Sequence, residues 1–190
     1  MIPDLTTYLA DVLPVEPDEA AMLQASFTPR TVPRHTVLLQ QGQSCHNLWF
    51  VQHGLLRSYY ATDRDEITCW AALPGQFMTS LSAFLNQTVS PESIQAVEPT
   101  QLLVLPRSQW QRLYDQLPSF RERWRRGVEA RYADLELRMG SLRAMQAPQR
   151  YEFMETHYTE LTRRLPLKYL ASILGIEPRH LSRIRSINRR

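Results

Sequence analysis

Between about Thr28 and Pro106 the apolar residues fall in short runs. These are Val37-Leu38-Leu39, Leu48-Trp49-Phe50-Val51, Leu55 to Tyr60, Ile67 to Ala71 and Leu102 to Leu105. Turn-forming stretches separate them: Gln41-Gly42-Gln43, His53-Gly54, Thr62-Asp63-Arg64-Asp65 and Pro74-Gly75. Many short strands at this spacing predict an antiparallel barrel or roll rather than a parallel sheet. Upstream, the first 27 residues predict two short helices parted by Pro14 and Pro17, with Pro17-Asp18-Glu19 suited to a helix start.

After Pro106 the helical period takes over. Ser108-Gln109-Trp110-Gln111 and Ser119-Phe120-Arg121-Glu122 both fit the capping-box pattern, in which a hydroxyl holds the amide three residues on. The second box predicts a helix to about Met145, with Phe120, Trp124, Val128, Tyr132, Leu135, Met139 and Leu142 spaced by threes and fours. Such a stripe packs on the roll or forms a helix–helix dimer seam. Gly127 and Gly140 weaken the helix by up to about 1 kcal/mol each, so tertiary contacts must hold it. Pro148 opens a further helix through about Tyr158.

The run from Leu167 to Ser186 has the pattern of a helix-turn-helix. Ala171 is small where two helices cross, and Gly175 stands at the turn, where positive φ is needed. Leu170, Leu174, Ile176, Leu181 and Ile184 supply a shared core, and Pro178 suits the start of the second helix. At about 100° per residue, Glu177, Leu181, Ile184 and Asn188 share one sector. Arg179, Ser182, Arg183 and Ser186 take the opposite face, with His180 and Arg185 on its flanks. Arginine donates two parallel hydrogen bonds to guanine, and short hydroxyls permit close approach. Arg179, Ser182 and Arg183 are therefore the expected base readers, and Lys168, His180, Arg185 and Arg189 the expected phosphate contacts.

Charge sharpens this picture. The 190-residue chain carries a formal +3, yet residues 163–190 alone hold eight basic residues and one acid, a net +7 against −4 for the remainder. A basic end on a mildly acidic body suits a polyanion partner. No apolar run reaches a membrane-spanning length, and the start lacks the layout of a signal peptide. With Cys45 and Cys69 the only cysteines, a reducing cytoplasm is the expected setting.

Leu181-Ser182-Arg183-Ile184-Arg185, following Tyr169-Leu170-Ala171-Ser172-Ile173-Leu174-Gly175, resembles the C-terminal end of Crp/Fnr-type bacterial transcription regulators. Leu38-Leu39-Gln40-Gln41-Gly42 and Phe50 to Arg57 resemble the opening of that family's cyclic-nucleotide-binding β-roll. Pro74-Gly75-Gln76-Phe77 sits where the roll turns into its effector-binding segment. The resemblance implies an α+β chain in three parts. Residues 1–116 are the N-terminal helices and roll, 117–146 the dimerisation helix, and 147–190 the DNA-binding domain. It further implies a homodimer on a near-palindromic double-stranded operator, with RNA polymerase as a partner, no membrane, and a small-molecule effector of unknown identity.

Two departures qualify what the resemblance implies. Thr79 and Ser80 stand where cyclic-AMP-binding members have Gly-Glu, and Ser90 and Pro91 stand where they have Arg-Ser. The charged phosphate contact is missing, so control by cyclic AMP is not expected. Thr79, Ser80 and Ser90 remain the candidate effector pocket. Arg179 occupies a position where a glutamate often reads cytosine, so a different operator is expected. Tyr158 to Leu167 is short for the family's β-hairpin wing.

An enzyme finds no support in the motifs. The five histidines form no H-x-H or H-E-x-x-H, two cysteines cannot hold an iron–sulfur cluster, and G-x-S-x-G is absent. No catalytic residue, metal or cofactor is expected. The two cysteines read as structural thiols, with a redox pair as the other reading. The competing functional class is a small-molecule sensor acting through protein contacts, with a degenerate DNA-binding domain.

Overall fold

The computed structural model describes residues 17–188. The first predicted helix and Arg189 lie outside the described residues. A helix α1 (Pro17–Ser26) leads into eight strands: β1 (Thr28–Val32), β2 (Val37–Leu39), β3 (Asn47–His53), β4 (Leu56–Ala61), β5 (Glu66–Ala72), β6 (Phe77–Met78), β7 (Ser93–Ala96) and β8 (Thr100–Pro106). A short helix α2 (Leu81–Asn86) sits between β6 and β7. Helices α3 (Arg107–Gln116), α4 (Pro118–Ala144), α5 (Ala147–His157), α6 (Thr159–Arg164), α7 (Leu167–Leu174) and α8 (Pro178–Asn188) complete the chain.

The strands form two four-stranded antiparallel sheets, in the orders β1-β8-β3-β6 and β2-β7-β4-β5. Together they make the expected roll. Trp49, Phe50, Leu56, Ile94, Leu102 and Leu105 fill its interior, and Leu113 of α3 and Phe120 of α4 close the core from the helical side. Leu48 to Val51 are all buried, although successive residues point to opposite faces. This follows because helices cover one side of β3 while the opposing sheet covers the other.

Three strands were not signalled by an apolar run: β1, β7 and the two-residue β6. Thr28-Pro29-Arg30-Thr31-Val32 is largely exposed and pairs only with β8 at a sheet edge, where a proline is tolerated. Ser93-Ile94-Gln95-Ala96 carries polar residues with partners to serve. Ser93 Oγ accepts from Gln41 N at 2.9 Å, and Gln95 Oε1 accepts from Arg57. The two expected capping boxes do not form. Helices α3 and α4 start at Arg107 and Pro118, so Ser108 and Ser119 fall inside their first turns, with Pro106 and Leu117 at the caps. Pro118 has no N–H to leave unsatisfied there, and Ser119 Oγ donates instead to Glu19 of α1 at 2.5 Å. A box does form at Gln146, whose N–H donates to Gln149 Oε1 at 2.8 Å.

The apolar stripe of α4 divides into a buried half and an exposed half. Phe120 is buried and Trp124 packs against the roll core. Farther along, Tyr132 (61% exposed), Leu135 (44%), Met139 (38%) and Leu142 (39%) are exposed. No described helix is long and apolar enough to cross a membrane.

Gly54 ends β3 at φ +92°, and an added Cβ would meet Pro99 O and Thr100 Cα at 2.7 Å. Gly42 has φ +86° but nothing within 4 Å. Gly54→Ala should cost more than about 2 kcal/mol from combined overlap and backbone strain, and Gly42→Ala about 1 kcal/mol from strain alone. Urea denaturation of the two variants measures the difference.

Candidate nucleic-acid interface and effector cleft

Helices α7 and α8 form the expected helix-turn-helix. Gly175 sits at the turn with φ +63°, and Ile176 N–H reaches back to Ala171 O at 3.0 Å, closing the end of α7. Arg150 of α5 donates to Leu174 O at 2.6 Å, which satisfies a further terminal carbonyl. Leu170, Ala171, Leu174, Leu181 and Ile184 are buried together. Arg179, His180, Ser182, Arg183 and Ser186 are exposed, as is Lys168 on the first helix. The outer face of α8 therefore presents two guanidinium groups and two hydroxyls with no protein covering them.

Arg185 departs from its expected role at the phosphates. Its Nη2 donates to Thr162 O at 2.7 Å and its guanidinium lies 5.6 Å from the centre of the Tyr151 ring. Helical rotation placed its Cβ on a flank, but the long side chain folds inward and ties α8 to α5 and α6.

The helix-turn-helix is docked on the outer face of the β2-β7-β4-β5 sheet. Arg57 of β4 is only 1% exposed and lies between the rings of Tyr59 and Tyr169, 4.1 and 4.0 Å from their centres. Its donors reach Gln95 Oε1 at 2.7 and 3.0 Å, Thr68 Oγ1 at 3.1 Å, and the carboxylate of Glu66. Ser172 Oγ accepts from Thr68 N–H at 2.8 Å, and Arg164 spans from α6 to Gly54 O at 3.0 Å and Glu98 at 2.5 Å. A further contact ties the long helix to Tyr158 at the end of α5. Tyr158 donates to Asp134, Asp134 pairs with Arg138 at 3.0 Å, and Arg138 lies 3.7 Å from the Trp70 ring centre. Trp70 meets Tyr158 edge-on at 5.0 Å. Burial, and then the Asp134 carboxylate, raise the Tyr158 phenol well above its ordinary range.

A cleft of about 570 Å³ separates α4 from the roll, walled by Leu48, Phe77, Leu105, Trp124 and Val128, with Arg131 on its helical side. Of the three expected pocket hydroxyls, only Thr79 lines it. Thr79 Oγ1 donates to Asn47 O at 2.9 Å, and Ser90 Oγ donates to Glu92 O at 2.6 Å, so both serve the backbone. Ser80 Oγ is buried and faces the Glu92 carboxylate. Charged residues that the pattern reading missed line the cleft, namely Arg123, Arg126, Arg131 and Asp134, and Glu92 lies close to Arg131. Glu92 is half-buried, its carboxylate facing Ser58 and Ser80, and burial raises its pKa. Arg131 is in electrostatic range of it. A glutamate two places after Ser90, at the start of a half-polar strand, was the available signal.

Cys45 and Cys69 are both free. Burial, with Glu92 nearby, pushes the Cys69 thiol up to about 11, so it is protonated at neutral pH and a poor nucleophile. Among the described residues no group of three or more His, Cys, Asp or Glu could hold a metal ion.

Residues 29–117 match the cyclic nucleotide-binding domain family. No curated protein sequence gives a significant match. Among solved structures, the chain resembles a CooA mutant from Carboxydothermus hydrogenoformans at 19% identity and a TM-score of 0.73, over 94% of this chain and 82% of that one. It also resembles the catabolite activator protein of Thermus thermophilus (24% identity, TM-score 0.57, 95% and 85% covered). A protein from Eubacterium rectale assigned to the crp/fnr family of transcriptional regulators gives 15% identity and a TM-score of 0.67, with 90% and 82% covered. Residues 29–117 are thus a domain of the cyclic nucleotide-binding type, and the chain as a whole has the Crp/Fnr-type fold.

Proposed function

We propose that the chain is a sequence-specific, double-stranded-DNA-binding transcription regulator that works as a homodimer without control by cyclic AMP. The observation that carries this reading is the exposed outer face of α8, with Arg179, Ser182, Arg183 and Ser186 opposite the buried Leu181 and Ile184. A solvated basic helix with hydroxyls between its arginines matches the donor needs of a major groove. Lys168 and His180 flank that face as phosphate contacts, together with Arg189. Arg185 is a clamp within the domain.

The three-part layout (1–116, 117–146, 147–190) assigns dimerisation to the middle part. On α4, Tyr132, Leu135, Met139 and Leu142 span about 80° of the helix at its usual rotation. Four exposed apolar residues in one stripe on a long helix suit a second copy of the same helix. Paired recognition helices would then meet major grooves about 34–36 Å apart, one turn of duplex. RNA polymerase is the proposed protein partner. The cyclic phosphate loses its charged contact at Ser90, whose hydroxyl is engaged with its own turn.

Sequence selection on random duplexes tests DNA recognition, and failure to enrich any motif favours the protein-contact sensor instead. Arg183→Ala should cost about 1–3 kcal/mol of binding and relax one base pair per half-site. Lys168→Ala should weaken all duplexes alike and lower the salt slope by about one. Arg185→Ala should leave that slope unchanged and lower the melting temperature.

The double variant Leu135→Glu, Met139→Glu should sediment as a folded monomer and bind a full operator far more weakly than the parent. Titration calorimetry with cyclic AMP should show no binding at micromolar concentrations.

A further inference from the structure

The walls of the cleft between α4 and the roll carry more positive than negative charge, with Arg123, Arg126 and Arg131 against Asp134. Most of these groups are engaged within the chain. Arg126 pairs with Glu122 at 2.7 Å, while Asp134 pairs with Arg138 at 3.0 Å and accepts from Tyr158. Arg123 is only 6% exposed and has Glu19 in electrostatic range. Uncharged polar groups on the walls are committed as well. Thr79 donates to Asn47 O at 2.9 Å, and Gln76 Oε1 accepts from Leu73 N–H at 3.0 Å. Arg131 differs: among the described residues it makes no hydrogen bond or ion pair. Loss of surrounding water, and then the charge of Arg138, hold its pKa below the ordinary value. Both effects disfavour the cation, and a bound anion offsets both.

The surroundings select the kind of anion. Glu92 is in electrostatic range of Arg131, but its carboxylate faces Ser58 and Ser80 and it does not line the cleft. It leaves the guanidinium fork open while opposing a second negative charge on an occupant. One guanidinium in such a setting suits a monoanion, and a carboxylate matches its fork with two parallel hydrogen bonds. Leu48, Phe77, Leu81, Leu105, Trp124 and Val128 also line the cleft and ask for an apolar body. The sugar and base edges of a nucleotide would go unanswered on such walls, at a desolvation cost for each. At about 570 Å³ the cleft has the volume of an ordinary small-molecule site.

We propose that this cleft binds an amphipathic monocarboxylate, its carboxylate on Arg131 and its aromatic or aliphatic body against the apolar side chains of α4 and the roll. Binding here goes beyond the regulator reading and rests on it only for its consequence. Arg131 stands four residues before Leu135, so the carboxylate seat and the exposed apolar stripe occupy adjoining turns of one helix. Tyr158, at the end of α5, lines the same cleft. An occupant therefore touches both the helix assigned to dimerisation and the segment that leads into the helix-turn-helix.

The test is calorimetry and thermal melting of the full chain, without DNA, against hexanoate, octanoate, decanoate, phenylacetate, cinnamate and naphthoate. At least one should bind with a Kd below about 1 mM and raise the melting temperature. For that acid, the matched primary amide should bind at least about tenfold more weakly, since it keeps the apolar body and loses the charge. Arg131→Gln should weaken binding of the acid by a similar factor. The proposal is overturned if none of the six binds, if the amide binds as well as its acid, or if Arg131→Gln binds the acid as tightly as the parent does. The amide comparison needs no variant, so it decides the matter even where the substitution disturbs folding. Because DNA is absent from these titrations, their failure leaves the regulator reading intact, and the operator selection alone decides it.

Discussion

A buried guanidinium holds the two halves of this protein together. Taking a charge out of water is tolerable only where its donors find acceptors, and each nitrogen of the Arg57 guanidinium does so through residues on two neighbouring strands. Glu66 and Thr68 come from β5 and Gln95 from β7, so one side chain fastens the register of both neighbours of β4. Its flat faces are then covered by Tyr59 from the same strand and Tyr169 from the first helix of the helix-turn-helix. Glu66 keeps 39% of its side chain in water, so the pair is only partly dehydrated and its Coulomb gain is moderate. The greater effect is positional. A planar cation between two rings fixes where α7 sits, and with it the direction in which α8 points.

The roll was legible because short apolar runs alternate with turn-forming stretches, and the helix-turn-helix because helical rotation separates Leu181 and Ile184 from Arg179 and Arg183. What escaped the pattern shares one cause: polar residues whose partners are distant in sequence. Gln95 looks like a surface residue until Arg57, 38 positions away, is seen to need it. Glu92 and Arg131 come together only once α4 crosses the roll. Arg185 shows the limit of rotation arguments in another way. They set the angle of a Cβ, while a long side chain decides for itself where its charge ends up. The segment from Tyr158 to Leu167, too short for a hairpin wing, carries α6 instead and delivers Arg164 to the roll.

The long helix divides its labour along its length. Near Phe120 it belongs to the roll core; near Arg131 and Asp134 it forms a wall of the cleft and meets Tyr158; beyond Leu135 its apolar stripe faces outward. A change in how any one stretch packs is felt by the other two, because a helix transmits rotation as a stiff rod. Gly127 and Gly140 are compatible with this, since each leaves open space where a side chain would stand.

Strand β5 is the last strand of its sheet, and the N–H of Thr68 is answered by Ser172 rather than by another strand. An open strand edge is a template on which a second chain can add, and proteins commonly cover such edges with a helix. Here the cover is α7 itself. The same contact that orients α8 therefore also covers the open edge of the sheet. Any state that lifts the helix-turn-helix away exposes that edge as well as a free helix.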